Sequence, residues 1–134
     1  MSGFLAAIWL PFPPSINNYY VQTRNGRFIS KKGKEFREQV ITECIIQGIS
    51  GIKYAGKVEF SVVLYPPDRR KRDLDNYKKA LLDAITHSGV WVDDSQIDQI
   101  HSYRGTVRKG GAAVVRIEDA GMIVPWGHEH IVFE

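Results

Sequence analysis

Val58, Phe60, Val62 and Leu64 fall on one side of a two-residue alternation that Pro66-Pro67 cuts off. A period of two with one apolar side marks a β-strand with a buried face, and proline cannot continue the ladder. Such a strand needs a sheet around it and a layer against its apolar face. Two stretches at helical spacing stand on either side of it. In residues 31–47, Phe36, Val40, Cys44 and Ile45 recur at that spacing; Ser30 is placed to cap the start and Gly48 to end it. In Asp75–His87 the stripe is Leu74, Tyr77, Leu81, Leu82 and Ile85, with Gly89 just past the end.

The rest of the chain reads as strands and turns. The apolar run Phe4–Leu10 predicts a buried strand ended by Pro11, Pro13 and Pro14. Residues 19–29, with Asn25-Gly26 between their β-forming ends, predict a hairpin. Residues 97–107 and 112–118 predict two more strands joined by a turn at Lys109-Gly110-Gly111. Residues 121–134 read as a tail or a small terminal strand. The expectation is therefore an α+β (mixed α/β) fold: a single domain over residues 1–134, with one mixed sheet of about five strands and two main helices.

Composition excludes several classes. A chain of 134 residues, 43% hydrophobic and 25% charged, suits one soluble globular domain. Its one cysteine, Cys44, rules out an intrachain disulfide and a multi-cysteine zinc site. Within an apolar helical stretch that thiol is expected to be buried and inert, which fits a reducing, intracellular setting. The run Phe4–Leu10 is too short to span a bilayer, so no membrane role is expected. A formal charge of +3 permits a polyanionic partner, and its clustering matters more than its sum.

That clustering is pronounced. Arg69, Arg70, Lys71 and Arg72 run directly into Asp73 and Asp75, and Asp94 follows after the second helix. Cations of this kind neutralise phosphates, and a few carboxylates with open positions suit Mg²⁺, which takes oxygen ligands and keeps several waters. Singly, an aspartate here would be a helix cap or a turn residue. Together, behind a basic run, the three predict a shared metal site for phosphodiester chemistry. Lys79 stands four residues after Asp75 and four before Asp83, so the three share a helix face. It reads either as part of a salt-bridge ladder or as an ammonium aimed at a reacting phosphate. Lys78 points elsewhere and reads as a contact to a DNA backbone or as simply solvated. A second basic stretch, Arg24, Arg27, Lys31, Lys32, Lys34 and Arg37, is interleaved with Tyr19, Tyr20 and Phe28, rings of the kind that stack on bases. His128 and His130 near the C-terminus lack helical zinc spacing.

These residues resemble the RusA family of bacterial and phage Holliday-junction resolvases. The resemblance is carried by Pro13-Pro14-Ser15-Ile16-Asn17, by Asp68 to Asn76, by Lys79 and Asp83-Ala84, by Trp91 to Ile97, and by Lys109-Gly110-Gly111. It implies a homodimeric, Mg²⁺-dependent endonuclease, cytoplasmic, that cuts four-way junction DNA with paired nicks. Asp73, Asp75 and Asp94 would be its essential acids and metal ligands and Lys79 its important lysine. The basic run from Arg69 to Arg72 and Asn76 would face DNA, and Asp93 would lie close by. Residues 121–134 carry no motif of that family. Two other readings remain open: a non-catalytic DNA-binding module in which the acids only cap, and a metal-dependent hydrolase of small phosphoesters.

Overall fold

A computed structural model of the chain describes residues 4–121. The order is β1 (Phe4–Leu10), α1 (Ile16–Tyr19), β2 (Tyr20–Thr23), β3 (Gly26–Ile29), α2 (Lys31–Ile46), β4 (Val58–Tyr65), α3 (Asp75–His87), a 3₁₀ turn (Asp94–Gln96), β5 (Ile97–Arg104) and β6 (Ala112–Asp119). The main sheet has four strands in the order β1-β6-β4-β5, and β2-β3 form a separate two-stranded ribbon. The fold is mixed α+β. The expected single sheet of about five strands divides because the hairpin pairs only with itself. The expectations for residues 121–134, including His128 and His130, concern a segment that, beyond Gly121, lies outside the described residues.

The apolar side of β4 is buried as its alternation requires: Val58, Phe60, Val62 and Leu64 are almost wholly covered. They meet Phe36, Val40 and Cys44 of α2 and Ala80, Leu81, Ala84 and Ile85 of α3 in one core with Ile8, Leu10, Val115 and Ile117. Ile45, expected in the α2 stripe, is 61% exposed, because Cys44 beside it already faces the core. Strand β1 also departs from expectation. It alternates, with Ala6, Ile8 and Leu10 inward and Ala7 and Trp9 outward, as suits an edge strand with one covered face.

Strand order is the main finding beyond the sequence. β5 and β6 follow one another in the chain but are not neighbours, since β4 lies between them. β4 pairs parallel with β5 and antiparallel with β6. The parallel pair makes α3 a crossover helix lying over the sheet. The hairpin turn is also displaced by one residue. Thr23 pairs with Gly26, so Arg24-Asn25 is the connection, and Gly26 takes the positive φ of 122°. No described helix is long and apolar enough to cross a membrane.

Candidate active site at the start of helix α3

The chain leaves β4 through Pro66-Pro67 into a loop organised by Asp68. Its carboxylate accepts the Arg70 backbone N–H at 2.9 Å and an Arg72 guanidinium N–H at 2.7 Å. The hydrogen bond from Arg72 first, and then that from the Arg70 backbone, hold the Asp68 carboxyl well below the usual carboxylate range. Asp68 in turn raises Arg72 above its ordinary value. The Arg72 side chain is only 9% exposed and lies over the Phe12 ring, 5.6 Å from its centroid. Of the four predicted DNA-facing cations, Arg72 is thus folded inward as a loop strut, Arg70 is tethered to Asp68, and Arg69 and Lys71 are exposed. The same loop and the end of β5 enclose a concavity to which Arg104 also contributes.

Asp73 and Asp75 sit together where α3 begins. The Asp73 carboxylate accepts the Asp75 backbone N–H at 3.2 Å, so Asp73 supplies a cap that Leu74 cannot. Asp75 pairs with Lys78 at 3.1 Å at the surface, where the Asp75 side chain remains 76% exposed. Asn76, one of the predicted DNA contacts, is exposed beside them. Asp94 approaches from the other side of the crossover. The indole of the buried Trp91 donates to Thr86 Oγ1 at 2.7 Å, which seats the preceding segment in the core. Asp93 caps the 3₁₀ turn, accepting the Ser95 N–H; the Ser95 side chain first, and then its backbone N–H, lower the Asp93 carboxyl below the ordinary range. Gln96 closes the box from the opposite end by accepting the Asp93 N–H at 2.8 Å. Its amide then donates to the carbonyls of Tyr54 and Gly56 at 2.7 and 2.8 Å.

Asp94 is thereby held against Lys79, whose Nζ is 3.7 Å from its carboxylate. The predicted ladder of Lys79 with Asp75 and Asp83 is replaced by this tertiary pair. Asp83 belongs to a different cluster. It accepts a hydrogen bond from the buried phenol of Tyr19 and another, at 2.8 Å, from Arg37, and His87 Nε2 stands 4.0 Å away. Burial pushes the Asp83 carboxyl up, but the bonds from Tyr19 and Arg37 outweigh it and bring it below its usual value. Burial and then the Asp83 carboxylate drive the Tyr19 phenol far above its own.

The three predicted acids therefore form two groups along α3: Asp73 with Asp75 at its N-terminus, and Asp94 with Lys79 about one turn further on. Among the described residues no three His, Cys, Asp or Glu side chains gather closely enough to hold an ion. The two groups come from separate segments, Asp73 and Asp75 from the connection between β4 and α3 and Asp94 from the turn before β5. The donor chemistry still fits a hard divalent cation, since the side chains are carboxylates reachable from solvent, with Asp75 76% and Asp94 43% exposed. Gln96 and Asp68, which position these acids, are not marked as site residues by their own chemistry in the sequence. Their only signal was membership of the two acidic blocks.

Residues 11–118 match the family profile described as Endodeoxyribonuclease RusA. The chain is 39% identical over 115 residues to the crossover junction endodeoxyribonuclease RusA of Shigella sonnei strain Ss046, covering 86% of this chain and 95% of that protein. It is 37% identical over 115 residues to the protein of the same name in Escherichia coli strain K12, with the same coverage. To the one in Enterobacteria phage 82 it is 40% identical over 115 residues, covering 85% and 94%. With its acidic blocks brought to the first turns of a crossover helix and its profile match over most of its length, the chain belongs to the RusA endodeoxyribonuclease family.

Proposed function

We propose that this protein is a Mg²⁺-dependent endonuclease that resolves four-way DNA junctions by paired, symmetric nicks. The observation that carries the reading is the placement of Asp73, Asp75, Asp94 and Lys79 along the exposed side of α3, beside a loop whose outward side chains, Arg69 and Lys71, are cationic. Relatives that align over nearly their full length bear the name crossover junction endodeoxyribonuclease, which supports the same substrate here.

Asp73, Asp75 and Asp94 are the residues that would hold the metal. Bound there, Mg²⁺ supplies the Lewis acidity that makes water a nucleophile at neutral pH and offsets charge on phosphate oxygens. The protein's own groups do the rest. Arg69 and Lys71 seat the DNA backbone by neutralising phosphates. The Lys79 ammonium, which stands 3.7 Å from the Asp94 carboxylate, would lie near the charge that builds on the phosphate and stabilise it. In-line attack at phosphorus with loss of the 3′ oxygen leaves a 5′-phosphate and a 3′-hydroxyl. A twofold homodimer would present two such sites to a junction with its own approximate twofold symmetry, which accounts for paired cuts by one small domain.

The test is incubation of labelled four-way junction and linear duplex with and without Mg²⁺. Junction cutting that requires the ion, with little cutting of duplex, is the expected result. Equal cutting of both removes junction selectivity. Turnover of mononucleotide esters instead would identify a small phosphoester hydrolase, wild-type protein that binds junctions without nicking them would be a binding module, and Asp94→Asn protein that still nicks normally would remove Asp94 from catalysis.

A further inference from the structure

Tyr19, Tyr20 and Phe28 are equivalent in the sequence as rings among cations, and the structure separates them. Tyr19 is fully buried and its phenol is committed to Asp83. Tyr20 is half-buried, with the Arg27 guanidinium 3.8 Å from its ring centroid and Tyr19 edge-on at 4.9 Å. Phe28 is left in solvent at 52% exposure, directly across the ribbon from Val21 at 44%. Alternate residues of a strand face opposite ways, so Phe28 and Val21 share one face of the β2-β3 hairpin while Tyr20, Ile29 and Arg27 lie on the other. The hairpin thus presents an aromatic-aliphatic pair that contributes little to the core.

What that face accepts follows from its charge. Residues 16–34 contain five cations, Arg24, Arg27, Lys31, Lys32 and Lys34, and no Asp or Glu. Arg27 is turned to the Tyr20 face, but a second copy of the hairpin would still bring the remaining cations of this segment against their like, with no carboxylate of the segment to offset them. A nucleic-acid strand brings phosphates to the cations and planar base faces to the ring. The root of the hairpin is fixed beside the candidate active site. Tyr19 is pinned to Asp83, which lies four residues, a rise of about 6 Å, beyond Lys79 on the same face of α3.

We propose that Phe28, backed by Val21, is a stacking platform for a DNA base unstacked where duplex arms meet, so that the hairpin engages the branch point while the acids reach the backbone. The inference rests on the DNA-cleavage reading above. It predicts a division of labour: the basic loop binds any duplex, and the hairpin recognises interrupted stacking.

The experiment measures binding to a four-way junction carrying 2-aminopurine at the branch point, and to linear duplex, without Mg²⁺. Phe28→Ala is expected to weaken junction binding by about tenfold or more and to abolish the fluorescence change on binding. Duplex affinity and the unfolding midpoint should be unchanged, and Phe28→Trp should restore junction binding. Junction affinity and fluorescence identical to wild type in Phe28→Ala would overturn this proposal alone. So would conversion of a wild-type dimer to a monomer by that substitution, which would assign the face to a second copy. Wild-type protein that ignores junction and duplex alike would overturn the DNA-cleavage reading as well.

Discussion

Asp83 joins three elements through one carboxylate: Tyr19 at the end of α1, Arg37 on α2 and its own helix α3. Its pKa in the folded protein is depressed, so its contribution is fully present above the unfolded carboxyl range near pH ~4 and is lost as pH falls through the folded value. Asp83→Asn should therefore reduce unfolding free energy near pH 7 by on the order of 1–3 kcal/mol, the range for hydrogen bonds to charged groups. Denaturant titrations at pH 3 to 7 should show the gap to wild type closing at the acid end. Lys79 answers to a different measurement. Its replacement by Ala should lower the cleavage rate by roughly 10²-fold with little change in junction affinity, because its charge is used when phosphate charge develops. The placement of Asp73 and Asp75 was legible because aspartate is favoured where helices begin. The partners of Lys79 and Asp83 were not legible, since intrahelical spacing offered both a ladder and the contacts they actually make are tertiary.

At the scale of elements, the periodicities of α2, α3 and β4 forecast those segments nearly to the residue, since burial of one face imposes a repeat that composition displays. The neighbours of a strand leave no such mark. Lys109-Gly110-Gly111 signals a reversal between β5 and β6, yet β4 intervenes, because the parallel β4-β5 pair is set by the α3 crossover rather than by any turn. The hairpin was legible but its turn was off by one residue, as Gly26 serves the strand end instead of the turn centre. Contact between α2 and the hairpin root depends on Gly33. A Cβ there would stand 2.5 Å from the Tyr19 carbonyl oxygen and 2.8 Å from Ile29 Cγ1. Gly33→Ala should thus destabilise the protein by roughly 1–3 kcal/mol through overpacking, visible as a lower thermal midpoint.

For the whole molecule, charge is divided by location more than by amount. The basic loop and hairpin carry the cations free to meet DNA, while Arg37 and Arg72 are held by carboxylates inside the domain. Replacing Arg69 or Lys71 by Ala should weaken junction and duplex binding alike and reduce the slope of log affinity against log salt by about one each. Arg72→Ala should instead disturb cleavage more than the salt slope, because the loop carrying Asp73 loses its strut.

Among the described residues the sheet, finally, is clothed on one side only. On the bare side Trp9, Val114, Val63 and Tyr103 line up across all four strands, and Trp9 stacks on Tyr65 with ring centroids 6.1 Å apart. Trp91 lies on the opposite side, wholly enclosed and edge-on to Phe60. Of the three tryptophans, Trp126 lies outside the described residues; with it replaced by Phe, the other two are natural optical reporters of opposite sides of the sheet. A collisional quencher such as iodide reaches Trp9 and spares Trp91, so emission from each can follow a different event in the same molecule.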